Sequence, residues 1–329
     1  MWTIMAFLML AAPQETERFP VGTGRVLIWR THALGEGAHP AVERAYIMIH
    51  GTNRNAEDYF RWALASTVAA NQMAATVVIA PHFKARTKDG RGDQVEKGEW
   101  FWTNEAWKAG ETALNGPVNS FDLMDRLFET LNDPKRFPNL KEVVLAGHSA
   151  GGQYAQRYAA VNNTEPKMRV PVRYVVANPS SYVYLNDLRL RSGAVCSEKG
   201  GCGGAFVKYW DAQNCTAFNQ YRYGLDKLTG YAASVQPDVI REQFPKRRVT
   251  YLVGELDVKP DDPSLDRSCP AVAQGPNRRE RGVTFWNYMK LQFGAAHEFD
   301  IAPGCGHSAV CVFAGPAGVK AVFGRPPGD

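Results

Sequence analysis

The sequence predicts an α/β domain, a doubly wound and mostly parallel sheet with a lid-like insertion after the fourth predicted strand. Three observations lead there. Short apolar, β-branched runs recur along the chain with helix-compatible stretches between them. Strands that are apolar throughout are buried on both faces, which is the condition of a parallel sheet covered by helices. One such run, Val143-Val144-Leu145-Ala146, passes through Gly147-His148-Ser149-Ala150-Gly151 straight into a helix-compatible segment. Finally, from Ser181 to about Pro245 the alternation stops, in a Tyr-, Asn- and Gly-rich stretch that carries three of the six cysteines.

The elements follow in order. Tyr46 to Ile49 reads as a short strand ending at His50-Gly51, and Ala56 to Asn71 as a helix with Asn55 at its N-cap. Thr76 to Ala80 is a second buried strand, stopped by Pro81. Ser120 to Leu131 places Phe121, Met124, Leu127, Phe128 and Leu131 on one helical face. Glu142 to Ala146, Arg173 to Ala177 and Val249 to Val253 are further strands, and Gly151 onward is helical. Right-handed crossovers between parallel strands wind such a sheet, and its ligands sit at the carboxyl ends of the strands.

Hydrophobic residues make up 45% and charged residues 22% of the 329, with a formal charge of +5. That composition is ordinary for a globular protein. The basic clusters, Lys246-Arg247-Arg248 and Arg278-Arg279 with Arg281, are short and lack interleaved aromatics. They read as solvated surface charge, and no nucleic-acid partner is expected. Nothing points to a particular oligomeric state. The apolar run Met1 to Ala12 is too short to span a bilayer, although no Lys or Arg precedes it. Its length and small-residue exit suit the core of a signal peptide over residues 1–18. A single domain over 19–329 then remains, with the insertion at about 181–245 and no membrane span.

The six cysteines, an even count, all lie in the second half. They favour disulfides in an oxidising compartment, hence a secreted or periplasmic protein, although six cysteines allow fifteen pairings. Cys196/Cys202 and Cys305/Cys311 are each close enough for a local loop, which leaves Cys215/Cys269 as a long-range bridge. A metal centre on Cys305, His307 and Cys311 would lack paired C-x-x-C spacing and a fourth ligand, so no metal is expected.

The G-x-S-x-G turn carries the sharpest chemistry. A strained strand-to-helix turn lifts Ser149 above the sheet edge, its glycines give the backbone room, and the following helix points N–H groups at developing negative charge. A serine needs a base. In this strand–turn–helix setting the partners follow in the order Ser, acid, His. Only His297 and His307 lie downstream, and His307 follows the strand candidate Phe299 to Ala302 where His297 precedes it; His307 is the expected base. Asp257, just past Tyr251-Leu252-Val253-Gly254, is the expected acid, with Glu255, Asp261 and Asp262 as rivals within reach. His50-Gly51-Thr52 ends the first strand, and the backbone N–H groups of Thr52 and Ala150 are the expected oxyanion donors, with His50 bracing the loop. Trp102, Trp107 and Tyr182 belong to aromatic clusters, and Asn178 follows a strand. These four are candidate substrate contacts. The aromatics read equally well as satellite core under a long loop.

With these residues in place, the chain resembles the α/β-hydrolase superfamily over nearly all its length after residue 20. It resembles more narrowly the exported bacterial and fungal esterase-like members, through His50-Gly51-Thr52-Asn53-Arg54-Asn55-Ala56, Gly147 to Gln153 and Asn178-Pro179-Ser180. The resemblance implies the sheet, a Ser149–Asp257–His307 triad and cofactor-free hydrolysis of a carboxylic ester, small molecule or polymer. It implies no particular substrate, because the fold hosts many chemistries. An amide or peptide hydrolase would use the same triad; a cofactor-free lyase or C–C hydrolase and a catalytically silent binding protein are the remaining alternatives. The cysteine loop around His307 lies outside the superfamily pattern, and a disulfide there would pin the base.

Overall fold

The computed structural model describes residues 15–324. In chain order the strands are β1 (Glu15–Val21), β2 (Gly24–Arg30), β3 (Arg44–Ile49), β4 (Thr76–Pro81), β5 (Glu142–His148), β6 (Val172–Ala177), β7 (Leu188–Leu190), β8 (Phe206–Lys208), β9 (Arg248–Gly254) and β10 (Glu298–Ala302). Eight form one sheet in the order β1-β2-β4-β3-β5-β6-β9-β10, while β7 and β8 pair with each other. In the large sheet every ladder from β4 across to β10 is parallel and the β1–β2 and β2–β4 pairings are antiparallel, as is the separate β7–β8 pair.

The helices are α1 (Ala56–Ala69), α2 (Ser120–Leu131), α3 (Ala150–Val161), α4 (Pro237–Gln243), α5 (Cys269–Val272), α6 (Arg278–Phe293), α7 (Ala309–Ala314) and α8 (Pro316–Phe323). The two-residue period of a strand divides the core into two layers. Ile47, Leu145, Val176 and Tyr251 pack with residues of α2, α3 and α6, whereas Tyr46, Val144, Val175 and Leu252 pack with α1, α7 and α8. Strands covered on both faces have no polar side, which is why their sequences run apolar without alternation.

The α2 boundaries coincide with the amphipathic segment, and its five expected apolar residues are all buried. Helix α1 does begin after Asn55, yet the Asn55 side chain does not cap it. Its amide instead donates to Asp58 Oδ2 at 2.7 Å. The β1–β2 hairpin is an addition to the sequence reading. Residues 1–14 of the expected signal segment lie outside the described residues, and Glu15 to Arg18 form the first half of β1, paired to Arg30 through Leu27.

The cysteines pair as Cys196–Cys202, Cys215–Cys269 and Cys305–Cys311. The basic clusters correct the expectation of solvated charge. Arg278 and Arg281 are fully buried at the start of α6, and Arg247 is buried in an ion pair with Glu165 at 3.0 Å. Burial of a guanidinium requires polar partners, and sequence spacing does not reveal them. Arg281, for instance, donates to the carbonyl oxygens of Gly275, Ser180 and Asp266. Among the described residues, no helix is long and apolar enough to cross a membrane.

Strand β5 meets α3 through backbone packed on backbone. A Cβ on Gly151 would lie 2.2 Å from the Ile49 carbonyl oxygen, and one on Gly147 would lie 2.2 Å from that of Gly151. Neither neighbour is a movable side chain. Gly151→Ala should therefore destabilise the fold by about 3 kcal/mol or more, measured by chemical denaturation with the disulfides intact.

Candidate active site

The β5–α3 turn sets the first residue. Ser149 has φ +58° and ψ −118°, outside the regions an L-residue ordinarily occupies. The surroundings over-determine it: Ser149 N–H donates to the Ala177 carbonyl at 2.9 Å, and its own carbonyl accepts from Gln153 N–H at 3.0 Å. The hydroxyl is thus presented at the carboxyl edge of the sheet, where the sequence reading places it.

The turn after β10 brings up His307, whose Nε2 lies 3.0 Å from Ser149 Oγ. On its other side Nδ1 lies 2.7 Å from Asp257 Oδ2. Asp257 stands three residues past β9, on the strand next to β6. Three consecutive sheet neighbours and the edge strand therefore converge on one point. His297 lies at the opposite end of β10, buried against Tyr251 and the Phe244 carbonyl, and burial lowers its pKa to about 4. Of the rival acids, Glu255 accepts from Gly304 N–H at 2.7 Å, and Asp262 is held by Ser264 and Arg278.

Asp257 is 3% exposed, and burial alone would push its carboxyl up. The hydrogen bond and charge of His307, the Arg278 guanidinium and the Asn178 amide outweigh that, and the acid is held below the ordinary aspartate value. Asn178 Nδ2 donates to Asp257 Oδ2 at 2.6 Å, while its Oδ1 accepts from Gly254 N–H at 3.1 Å. Arg278 Nη1 is 3.3 Å from the other carboxylate oxygen, and the same guanidinium reaches Ser180, Asp262 and Ser264. Sequence reasoning missed Arg278, because its position at a helix start among other arginines gives no hint of burial.

The four candidate substrate contacts lie behind the cleft. Trp102 and Trp107 are fully buried and surround Phe83, with Trp107 also 4.6 Å from the His50 ring. Tyr182 stacks on Phe285, and Asn178 faces the acid. These aromatics pack as core, so they are corrected as substrate platforms. His50 donates from Nδ1 to the Gly51 carbonyl and accepts Phe83 N–H at Nε2; burial lowers its pKa to about 3, which keeps it neutral. Gly51 accepts from Arg54 N–H, while among the described residues neither Thr52 N–H nor Ala150 N–H is taken up by a turn or side-chain acceptor.

His148 lies under the base, with its ring centroid 4.6 Å from that of His307. Burial, with the nearby His307 and Arg278 charges, drives its pKa well below the usual value, so it packs as a neutral ring. Cys305 and Cys311, joined to each other, close a short loop around His307 and leave no thiolate for a metal. The cleft above Ser149 encloses about 590 Å³. Of the insertion, only Tyr223 lines it; the other walls come from Thr52, Glu105 and Lys108, the start of α3, Ser180 and the Pro263–Arg267 loop.

No protein-family model matches the chain, and no curated protein matches its sequence. Among solved structures, the chain is similar to poly(aspartic acid) hydrolase-1 from Sphingomonas sp. KT-1, with a TM-score of 0.63 at 18% identity over 94% of this chain and 98% of that one. It is also similar to a poly(3-hydroxybutyrate) depolymerase from Bordetella parapertussis, with a TM-score of 0.60 at 18% identity over 93% of this chain and 86% of that one. The chain has the α/β-hydrolase fold.

A depressed carboxyl stabilises the folded state above its unfolded pKa and loses that contribution as pH falls through the folded value. The stability difference between wild type and Asp257→Asn should therefore be full at pH 7 and shrink below about pH 4. Denaturant titrations of both proteins from pH 7 to pH 3 check this; a difference independent of pH contradicts it.

Proposed function

We propose that the protein is a serine hydrolase that cleaves carboxylic esters through an acyl-enzyme on Ser149. The observation that carries the reading is the pair of hydrogen bonds in series, Ser149 Oγ to His307 Nε2 at 3.0 Å and His307 Nδ1 to Asp257 Oδ2 at 2.7 Å. An imidazole fixed in this way takes the serine proton as Oγ attacks the ester carbonyl, and Asp257 stabilises the imidazolium that results. The Thr52 and Ala150 N–H groups are the donors for the tetrahedral oxyanion. Collapse expels the alcohol, protonated by His307, and a water activated by the same base then releases the acid.

The poly(aspartic acid) hydrolase and the poly(3-hydroxybutyrate) depolymerase that share the fold fit hydrolysis as the general reaction. The three disulfides suit an oxidising compartment, and we place the working protein outside the cytosol, secreted or periplasmic.

Intact-mass labelling with a fluorophosphonate tests the reading. Wild type should gain a single adduct and Ser149→Ala none, and Ser149→Ala should lose at least about 10⁴-fold in ester turnover while keeping its denaturation midpoint. Substantial residual turnover in Ser149→Ala, or an unlabelled but folded wild type, refutes it. A matched ester and amide pair, assayed together, separates ester from amide hydrolysis. A second expectation concerns the His307 loop: Cys305→Ser with Cys311→Ser should lower turnover more than about tenfold while costing about 2 kcal/mol of stability. Unchanged turnover would show that the loop holds the base without its bridge.

A further inference from the structure

The cleft lining itself is balanced, with Lys108 and Arg267 against Glu105 and Asp266, and an excess of positive charge lies in the layer behind it. Lys108 lines the cleft with its side chain 12% exposed and pairs with Glu105 at 2.6 Å. Arg222 pairs with the same carboxylate at 2.8 Å. Behind them Arg157, on α3 two turns beyond Ser149, is 1% exposed. It donates to the Lys108 carbonyl at 3.0 Å and to Ser181 Oγ at 3.1 Å, and among the described residues it has no carboxylate within ion-pair distance and no partner for Nε. Glu105 thus pairs with two cations, and a third, Arg157, stands behind them without an ion-pair partner among the described residues. On the facing loop, Asp266 is engaged by Tyr223 and Ser268, and the exposed Arg267 forms no ion pair among the described residues.

A buried guanidinium without a counter-ion is costly, and such a charge ordinarily persists where something compensates it. The walls set polar Thr52, Glu105, Lys108 and Gln153 beside apolar Ala150, Pro263, Leu265 and Tyr223, so an acyl chain and a charged group can be held in one cleft. We propose that the cleft selects esters that carry a carboxylate near the scissile carbonyl, with Lys108 and Arg267 contacting that carboxylate and Arg222 and Arg157 supplying positive field behind it. The inference rests on the hydrolase reading above for its chemistry, although the anion site itself is a binding claim.

The test compares 4-methylumbelliferyl hydrogen adipate with the hexanoate of equal chain length. For wild type at low salt, kcat/KM for the adipate should exceed that for the hexanoate by about tenfold or more, and the ratio should fall as salt rises. Arg267→Gln, an exposed change that breaks no internal contact, and Lys108→Met should each lower the ratio about threefold or more, through KM. Lys246→Gln, an exposed lysine paired to Glu242 away from the cleft, should leave it unchanged. A ratio of one or less in wild type, or a ratio insensitive to both cleft variants, overturns the proposal. Calorimetric titration of Ser149→Ala with monomethyl adipate separates the two readings. Binding that Arg267→Gln weakens, in a protein without ester turnover, would uphold the anion site while the hydrolase reading fell. No binding at low salt would overturn the anion site even if neutral esters were hydrolysed.

Discussion

Everything at the site depends on backbone approaching backbone where β5 turns into α3. The turn holds Ser149 at a positive φ, a conformation worth avoiding by order 1–3 kcal/mol unless the surroundings enforce it. They enforce it from three sides: the Ala177 carbonyl on β6 takes the Ser149 N–H, the Ile49 carbonyl at the end of β3 leaves room only for Gly151, and Gly147 faces Gly151 itself. The strands involved are the central ones of the sheet, each buried on both faces. Strain at the serine is thus balanced by packing that extends through the strands around it, which fixes the backbone that presents the hydroxyl.

Asp257 is arranged by a different principle. Desolvation and charge oppose each other at Asp257, and charge wins because three groups address the carboxylate at once: His307 and Asn178 on one oxygen, Arg278 on the other. Asn178 also ties the acid to Gly254 at the end of β9, so the direction of the carboxylate is set by the sheet and not by the loop on which Asp257 sits. Arg278 performs the corresponding task from the helical side and reaches Ser264, a residue of the cleft wall. A buried cation of this kind is a structural element with an electrostatic output, holding the acid ionised where burial alone would favour its neutral form.

Legibility in the sequence followed the physics of each element. Strands buried on both faces announce themselves as apolar runs, and β3, β4, β5, β6 and β9 were readable for that reason. The β1–β2 hairpin was not, because its exposed face interleaves Glu15, Glu17, Arg18 and Arg30 with apolar residues at the edge of the sheet. Ser149, Asp257 and His307 were readable as a chain order, since the fold admits few places for an acid and a base relative to the turn, and the folded chain brings those three side chains within hydrogen-bond distance in series. Burial of polar and aromatic groups was the opaque part. Arg278 and Arg281 look like surface charge until Ser180 and the 257–275 segment close on them, and Trp102 and Trp107 look like a platform until the loop that follows β4 folds back and buries them. No local spacing encodes whether a loop lies over its own aromatics or holds them out.

The placement of His307 at the rim of the sheet divides the molecule into parts of unequal endurance. Ser149 stands on the central strand, while His307 follows β10, a five-residue edge strand paired on one side only, to β9, and mostly half-exposed. Local opening begins at such margins and spares the interior, since cooperative units with few buried contacts open at lower free energy than the core. Heating or mild denaturant would then part His307 from Ser149 by loosening this edge strand while most of the secondary structure endured. The hydrogen-bond series from Asp257 through His307 to Ser149 is thus the first feature this architecture loses.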